Sequence, residues 1–85
     1  MNLHHTVQSL EFEDEWMVLT VDGHPHRWPI AQLSSRLAVA SLAERQIYRI
    51  SPSGYGIHWP AIDEDLSIDG LLRIAEPEST NANAS

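Results

Sequence analysis

The run WMVLTV, Trp16–Val21, leads straight into Asp22-Gly23, and that junction constrains this chain more than any other feature. Six consecutive apolar or β-branched residues predict a strand buried on much of both faces. An Asp-Gly pair between extended runs turns the chain back on itself, because a two-residue hairpin needs positive φ and Gly accepts it without steric cost. The returning strand is then His24–Trp28. Pro25 has no amide hydrogen to give a ladder, so this strand belongs at a sheet edge or a bulge. Upstream, Val7, Leu10 and Phe12 alternate imperfectly across residues 6–12. That reads as a first strand, with Glu13-Asp14-Glu15 as the polar turn after it.

Pro29 suits the first turn of a helix, where its missing N–H costs nothing. Ile30, Leu33 and Leu37 then share one face, with Gln32, Ser35 and Arg36 turned away. Ser41-Leu42-Ala43-Glu44 has capping-box spacing and starts a second short helix reaching to Ile47. YRISPSGYGIHWP reads as a strand, a turn at Pro52–Gly54 and a strand from Tyr55 to Trp59. Gly54 and Gly56 permit the turn and a close backbone approach. Ser67 caps a final short helix carrying Leu71 and Leu72, which Gly70 weakens. From Glu76 onward, EPESTNANAS has almost nothing to bury and is expected to be a disordered tail. The expectation is a single α+β domain over residues 1–75, in the order βββααββα, followed by a tail over 76–85.

At 85 residues one hydrophobic core only just suffices. The absence of cysteine excludes a disulfide framework and a thiolate metal site, and fits a reducing compartment. No apolar run approaches the roughly 18 residues of a spanning helix, and MNLHHTV lacks the pattern of a signal peptide. A cytoplasmic protein is expected. Twelve acids face five basic residues, all arginine, for a net charge of −7. Nucleic-acid backbones and anionic membranes would repel such a chain, so neither is expected as a direct partner; a basic protein is favoured.

Candidate sites are few. His24 and His26 stand at i and i+2, on one face of an extended segment. A metal would need further ligands, for which His58 and the Asp63–Asp65 carboxylates are the available donors. No recurring ligand spacing supports that, and polar positions facing outward from an edge strand are the simpler reading, so no cofactor is expected. His58 with Asp63, Glu64 and Asp65 could act as a general base with orienting carboxylates. However, Ser51 and Ser53 flank a proline turn without nucleophile context, and Gly54-Tyr55-Gly56 lacks the spacing and lysine of a phosphate loop. An enzyme is therefore not expected, and His58 reads as a half-buried strand residue with a backbone or carboxylate partner. Of Trp16, Trp28 and Trp59, most belong in the core. Trp59, beside Pro60 at a strand end, is expected to be partly exposed. The acids at residues 11–15 and 63–69 could together dock an arginine-rich protein.

The segment GYGIHWPAIDEDLSIDGLL, residues 54–72, resembles the signature of a bacterial family, domain of unknown function 2442. The resemblance rests on Gly54, Gly56-Ile57-His58-Trp59-Pro60, Asp63-Glu64-Asp65-Leu66-Ser67 and Gly70-Leu71-Leu72. Upstream, Asp22-Gly23, Pro29, Leu37 and Glu44-Arg45 also match, so that residues 6–73 are covered, while the segment from Trp28 to Arg36 departs from the family pattern. The resemblance implies a small α+β domain with no catalytic residue to carry over. It also implies stand-alone members encoded beside another small protein, as in toxin–antitoxin or regulator pairs. One branch carries a C-terminal helix-turn-helix domain, and the few residues after the motif lead to the expectation that it is absent here.

The resulting expectation is a non-enzymatic protein-interaction module, the antitoxin-like or regulatory half of a small gene pair. Its partner would be a small basic protein, met through Trp59, Asp63, Glu64 and Asp65. The alternative is a ligand- or metal-binding domain using His24, His26, His58 and Asp63–Asp65. The first strand carries no proline guard, so its edge is open to a symmetric homodimer.

Overall fold

The structure, a computed structural model, describes residues 5–77. Asp22 and Gly23 both take positive φ, 50° and 83°, as a tight hairpin demands. They join β2 (Trp16–Val21) to β3 (His24–Pro29), paired antiparallel from Val21 opposite His24 to Trp16 opposite Pro29. Asp14, at φ 55°, turns β1 (Val7–Glu13) onto the other edge of β2, giving a sheet in the order β1-β2-β3. Met17, Leu19 and Val21 point inward from β2, and Trp28 faces the core opposite Met17.

Pro29 ends β3 and begins the helical layer: α1 (Ile30–Leu33), α2 (Ser35–Val39) and α3 (Leu42–Arg45). The expected first helix is broken at Ser34, whose backbone is extended and whose hydroxyl caps α2 by accepting the Leu37 N–H. Ile30 and Leu37 still reach the core from either side of the break. The capping box at Ser41 and Glu44 forms as expected.

A second antiparallel sheet follows, ordered β4 (Arg49–Ile50), β5 (Gly56–Trp59) and β6 (Glu64–Ser67), and α4 (Ile68–Leu72) closes the fold. The architecture is α+β. Strand β6, where the sequence shows only an acidic run, adds one element to the expected order. Ser67 caps α4 by accepting the Gly70 N–H at 2.8 Å. Ile57 and Trp59 from β5, with Ile68 and Leu71 from α4, complete the buried set; each such apolar side chain contributes on the order of 1.5–3 kcal/mol.

Both outer strands of the first sheet are partly closed. The Arg27 N–H points away from β2 and donates to the Glu76 carboxylate at 2.7 Å. Residues 25 and 29 face the same way by strand alternation and are prolines, so this edge of β3 offers no free donor. Glu76, expected to begin a loose tail, is thereby held against β3; residues 78–85 lie outside the described residues. On β1, read from sequence as an unguarded edge, the Tyr48 hydroxyl donates to the Leu10 carbonyl at 3.3 Å.

Candidate functional site

Helix α2 is fastened at both ends to an acidic turn. At its start, the Arg36 guanidinium donates to the Asp63 carbonyl. The Ser34 hydroxyl donates to Glu64, whose other oxygen accepts the Asp65 N–H. At the end of α2, buried Arg45 donates through Nε to the Leu37 carbonyl at 2.9 Å and through Nη2 to Ala38 at 3.0 Å. The same guanidinium reaches the Asp14 carbonyl and the Glu15 carboxylate. Two arginines thus bring the acidic turns 13–15 and 63–65, fifty residues apart in the chain, to opposite ends of one short helix.

The same helical layer carries exposed apolar side chains. Val39 is 86% exposed, Leu42 64% and Ile47 56%, all within one nine-residue stretch of the helical layer. The sequence reading did not single these residues out. The signal was available, because Val39 and Leu42 fall off the stripe formed by Ile30, Leu33 and Leu37.

The four residues expected to meet a partner separate. Trp59 does not fit that role: it is fully buried, and its indole N–H donates to the Arg45 carbonyl at 3.1 Å. A strand end beside proline reads as exposed, but β6 and the helical layer cover it. Glu64 stands opposite Trp59 on the inner face and spends its carboxylate on Ser34 and Asp65 N–H. Asp63 takes a left-handed conformation, φ 54°, and its side chain is exposed along with that of Asp65.

The histidines do not gather. His24 and His26 share the face of β3 that carries Trp28, opposite Val21 and Leu19; His24 is exposed there as expected, and His26 is half-buried. His26 stacks on Trp28, with ring centroids 5.7 Å apart, and its Nδ1 lies 3.0 Å from Glu76. His58, on the outer face of β5, stands opposite Asp65 on one side and Arg49 on the other. Its Nδ1 donates to Asp65 Oδ1 at 2.8 Å. Among the described residues, no group of three or more His, Asp or Glu side chains could hold a metal ion. None of their helices is long and apolar enough to cross a membrane.

A further histidine, His5, ties the β2–β3 turn to α4. His5 Nδ1 lies 3.0 Å from Asp22 Oδ2 and its Nε2 lies 3.2 Å from Asp69 Oδ1. The bonds to Asp22 and then Asp69 raise the His5 pKa above 6.5. The same bond to His5, followed by the Thr6 N–H, lowers that of Asp22 below 3.8. A raised histidine stabilises the fold fully below its unfolded value and loses that effect as pH rises through the folded one; a lowered aspartate loses its effect as pH falls. The network therefore contributes most between pH 3.8 and 6.5. Wild type should melt above His5→Gln by a margin that is widest near pH about 5.5 and narrows by about 8.5. A margin constant across that range in thermal melts would show that His5 charge plays no part.

Comparison with known proteins agrees with this architecture. The model of the family described as "Protein of unknown function (DUF2442)" matches residues 7–77. A crystal structure of a protein of unknown function from Rhodospirillum rubrum superposes with a TM-score of 0.64 at 24% identity, covering 80% of this chain and 84% of that one. At that identity the likeness concerns the fold. A search of curated proteins gave no match. With β-hairpin, helical layer and signature segment all within the matched span, the chain belongs to the DUF2442 family.

Proposed function

We propose that this domain is a non-enzymatic protein-interaction module, the acidic half of a pair whose other member is a small basic protein encoded beside it. The reading is carried by the exposed Val39, Leu42 and Ile47 on a helical layer whose helix α2 is tied at its ends to two acidic turns. Protein interfaces combine an apolar centre with a polar rim, and an exposed apolar patch of this kind on a small soluble domain marks a contact surface. Glu13, Glu15 and Asp65 have side chains 56%, 76% and 75% exposed, so the rim can meet arginines or lysines of a partner. The net charge of −7 would speed such an encounter and make it sensitive to salt. An antitoxin-like or regulatory role is the form this reading takes for a gene-pair member.

Co-expression with the product of the adjacent gene, followed by co-purification, tests it. A complex of micromolar affinity or tighter is expected, weakening as salt is raised. The double variant Val39→Asp, Leu42→Asp should keep the wild-type fold by circular dichroism and lose binding at least about tenfold, the equivalent of about 1.4 kcal/mol. Absence of a complex at micromolar concentrations overturns the pairing, and unchanged binding by the double variant overturns the surface.

A further inference from the structure

We propose that the outer face of the β4-β5-β6 sheet is a binding site for a small 2-hydroxy carboxylate with an apolar body. This site shares only Asp65 with the acidic rim above and does not depend on that reading. It is an open cleft of about 480 Å³, a size typical of small-ligand sites. Pro52 and Tyr55 line its apolar part, and Arg49, His58 and Asp65 its polar part.

Three observations select the ligand class. The first is Arg49. Arg27 packs over the Trp16 ring and near Glu13, Arg36 bonds to the Asp63 carbonyl, Arg45 is buried among carbonyls and Arg73 reaches Asp69. Among the described residues, Arg49 alone of the arginines has no hydrogen bond or ion pair, in a chain where acids outnumber basic residues twelve to five. An unpaired guanidinium on a cleft wall presents a planar fork suited to a carboxylate.

The second is the row across the sheet, in which Arg49, His58 and Asp65 stand directly opposite one another. Because a carboxylate only accepts, the 2.8 Å bond to Asp65 fixes the His58 proton on Nδ1 and leaves Nε2 as an acceptor in the neutral ring. One oxygen of Asp65 thus faces the imidazole, and Nε2 can accept a hydrogen bond from a hydroxyl next to the carboxylate that Arg49 holds. The third is Tyr55, 63% exposed, an aromatic surface at the cleft against which an apolar body can rest.

Titration by NMR of backbone amides reads each residue separately, with mandelate as the probe. Phenylacetate lacks its hydroxyl and mandelamide lacks its charge. Mandelate should cause saturable shifts confined to residues 49–58 and 65–67, and should bind about tenfold tighter than either control, as expected for one charge-assisted or buried hydrogen bond. Arg49→Gln should erase the preference for mandelate over mandelamide while keeping that over phenylacetate. His58→Phe should do the reverse. Both side chains are at the surface, so the variants fold. No saturable shift at millimolar mandelate, shifts elsewhere, or preferences that survive both substitutions would each overturn the assignment.

Discussion

Gly54→Ala should remove about 3–5 kcal/mol of stability, a large share of the roughly 4–13 kcal/mol that a domain of this size holds. Gly54 lies at φ +68°, and a Cβ placed there would sit 1.7 Å from the His5 carbonyl oxygen and 2.6 Å from its carbon. The left-handed conformation alone costs an alanine about 1–2 kcal/mol. The rest comes from the collision, which no side-chain rotation relieves because both atoms are backbone. The segment at His5 must lift away, breaking the His5 N–H bond to the Ser53 carbonyl and the bridge from His5 to Asp22 and Asp69. Gly23→Ala is the matched control: its φ is +83°, yet nothing lies within 4 Å of the added carbon. Chemical denaturation should place it about 1–2 kcal/mol below wild type, well above Gly54→Ala. If Gly54→Ala keeps any fold, its stability should also lose the pH dependence that His5 confers. Equal losses for the two variants would show that the approach of His5 costs nothing and that only the turn matters.

The contrast between those glycines shows what a sequence can disclose. Asp22-Gly23, the Ser41–Glu44 capping box and the Ser67 cap are chemistry between near neighbours, and all form as read. Gly54 was legible as a turn residue with a close neighbour, but not which backbone it meets, forty-nine residues away. Strand β6 was hidden because Glu64 faces the core, and an inward acid reads as a loop until Ser34 is seen to satisfy it. Trp59 looked accessible for the same reason: its cover comes from a helical layer that local pattern does not place. The candidate docking surface was half legible. Its acidic rim stood out in the sequence, whereas its apolar centre was legible only as Val39 and Leu42 falling off the Ile30–Leu33–Leu37 stripe, which by itself does not tell exposure from a second buried contact.

Arg45→Met should cost about 2–4 kcal/mol, although methionine preserves most of the apolar stem. The side chain is only 7% exposed, while that of its carboxylate partner Glu15 is 76% exposed. Glu15→Gln should therefore lower stability by less than about 1 kcal/mol, as exposed ion pairs do. The large contribution lies with the carbonyls of Leu37 and Ala38, at the end of α2, where a five-residue helix leaves most of its acceptors without intrahelical partners. The guanidinium reaches both at once, and also the Asp14 carbonyl. Methionine leaves the half-buried Ala38 carbonyl without that donor and Leu37 with only the Ala40 N–H, at a cost in desolvation. Arg45→Lys should fall between, since an ammonium keeps the charge but cannot span the fork. The order Glu15→Gln, Arg45→Lys, Arg45→Met in increasing cost, read by chemical denaturation and little changed by salt, identifies Arg45 as a cap for α2. A Glu15→Gln loss matching Arg45→Met, fading as salt rises, would make the ion pair the main contribution. The distinction bears on function, because Arg45 joins the acidic turn 13–15 to the end of α2 that carries Val39. If the carbonyl fork is what holds them, charge reversal at Glu15 should weaken binding of a basic partner without loosening the surface that receives it.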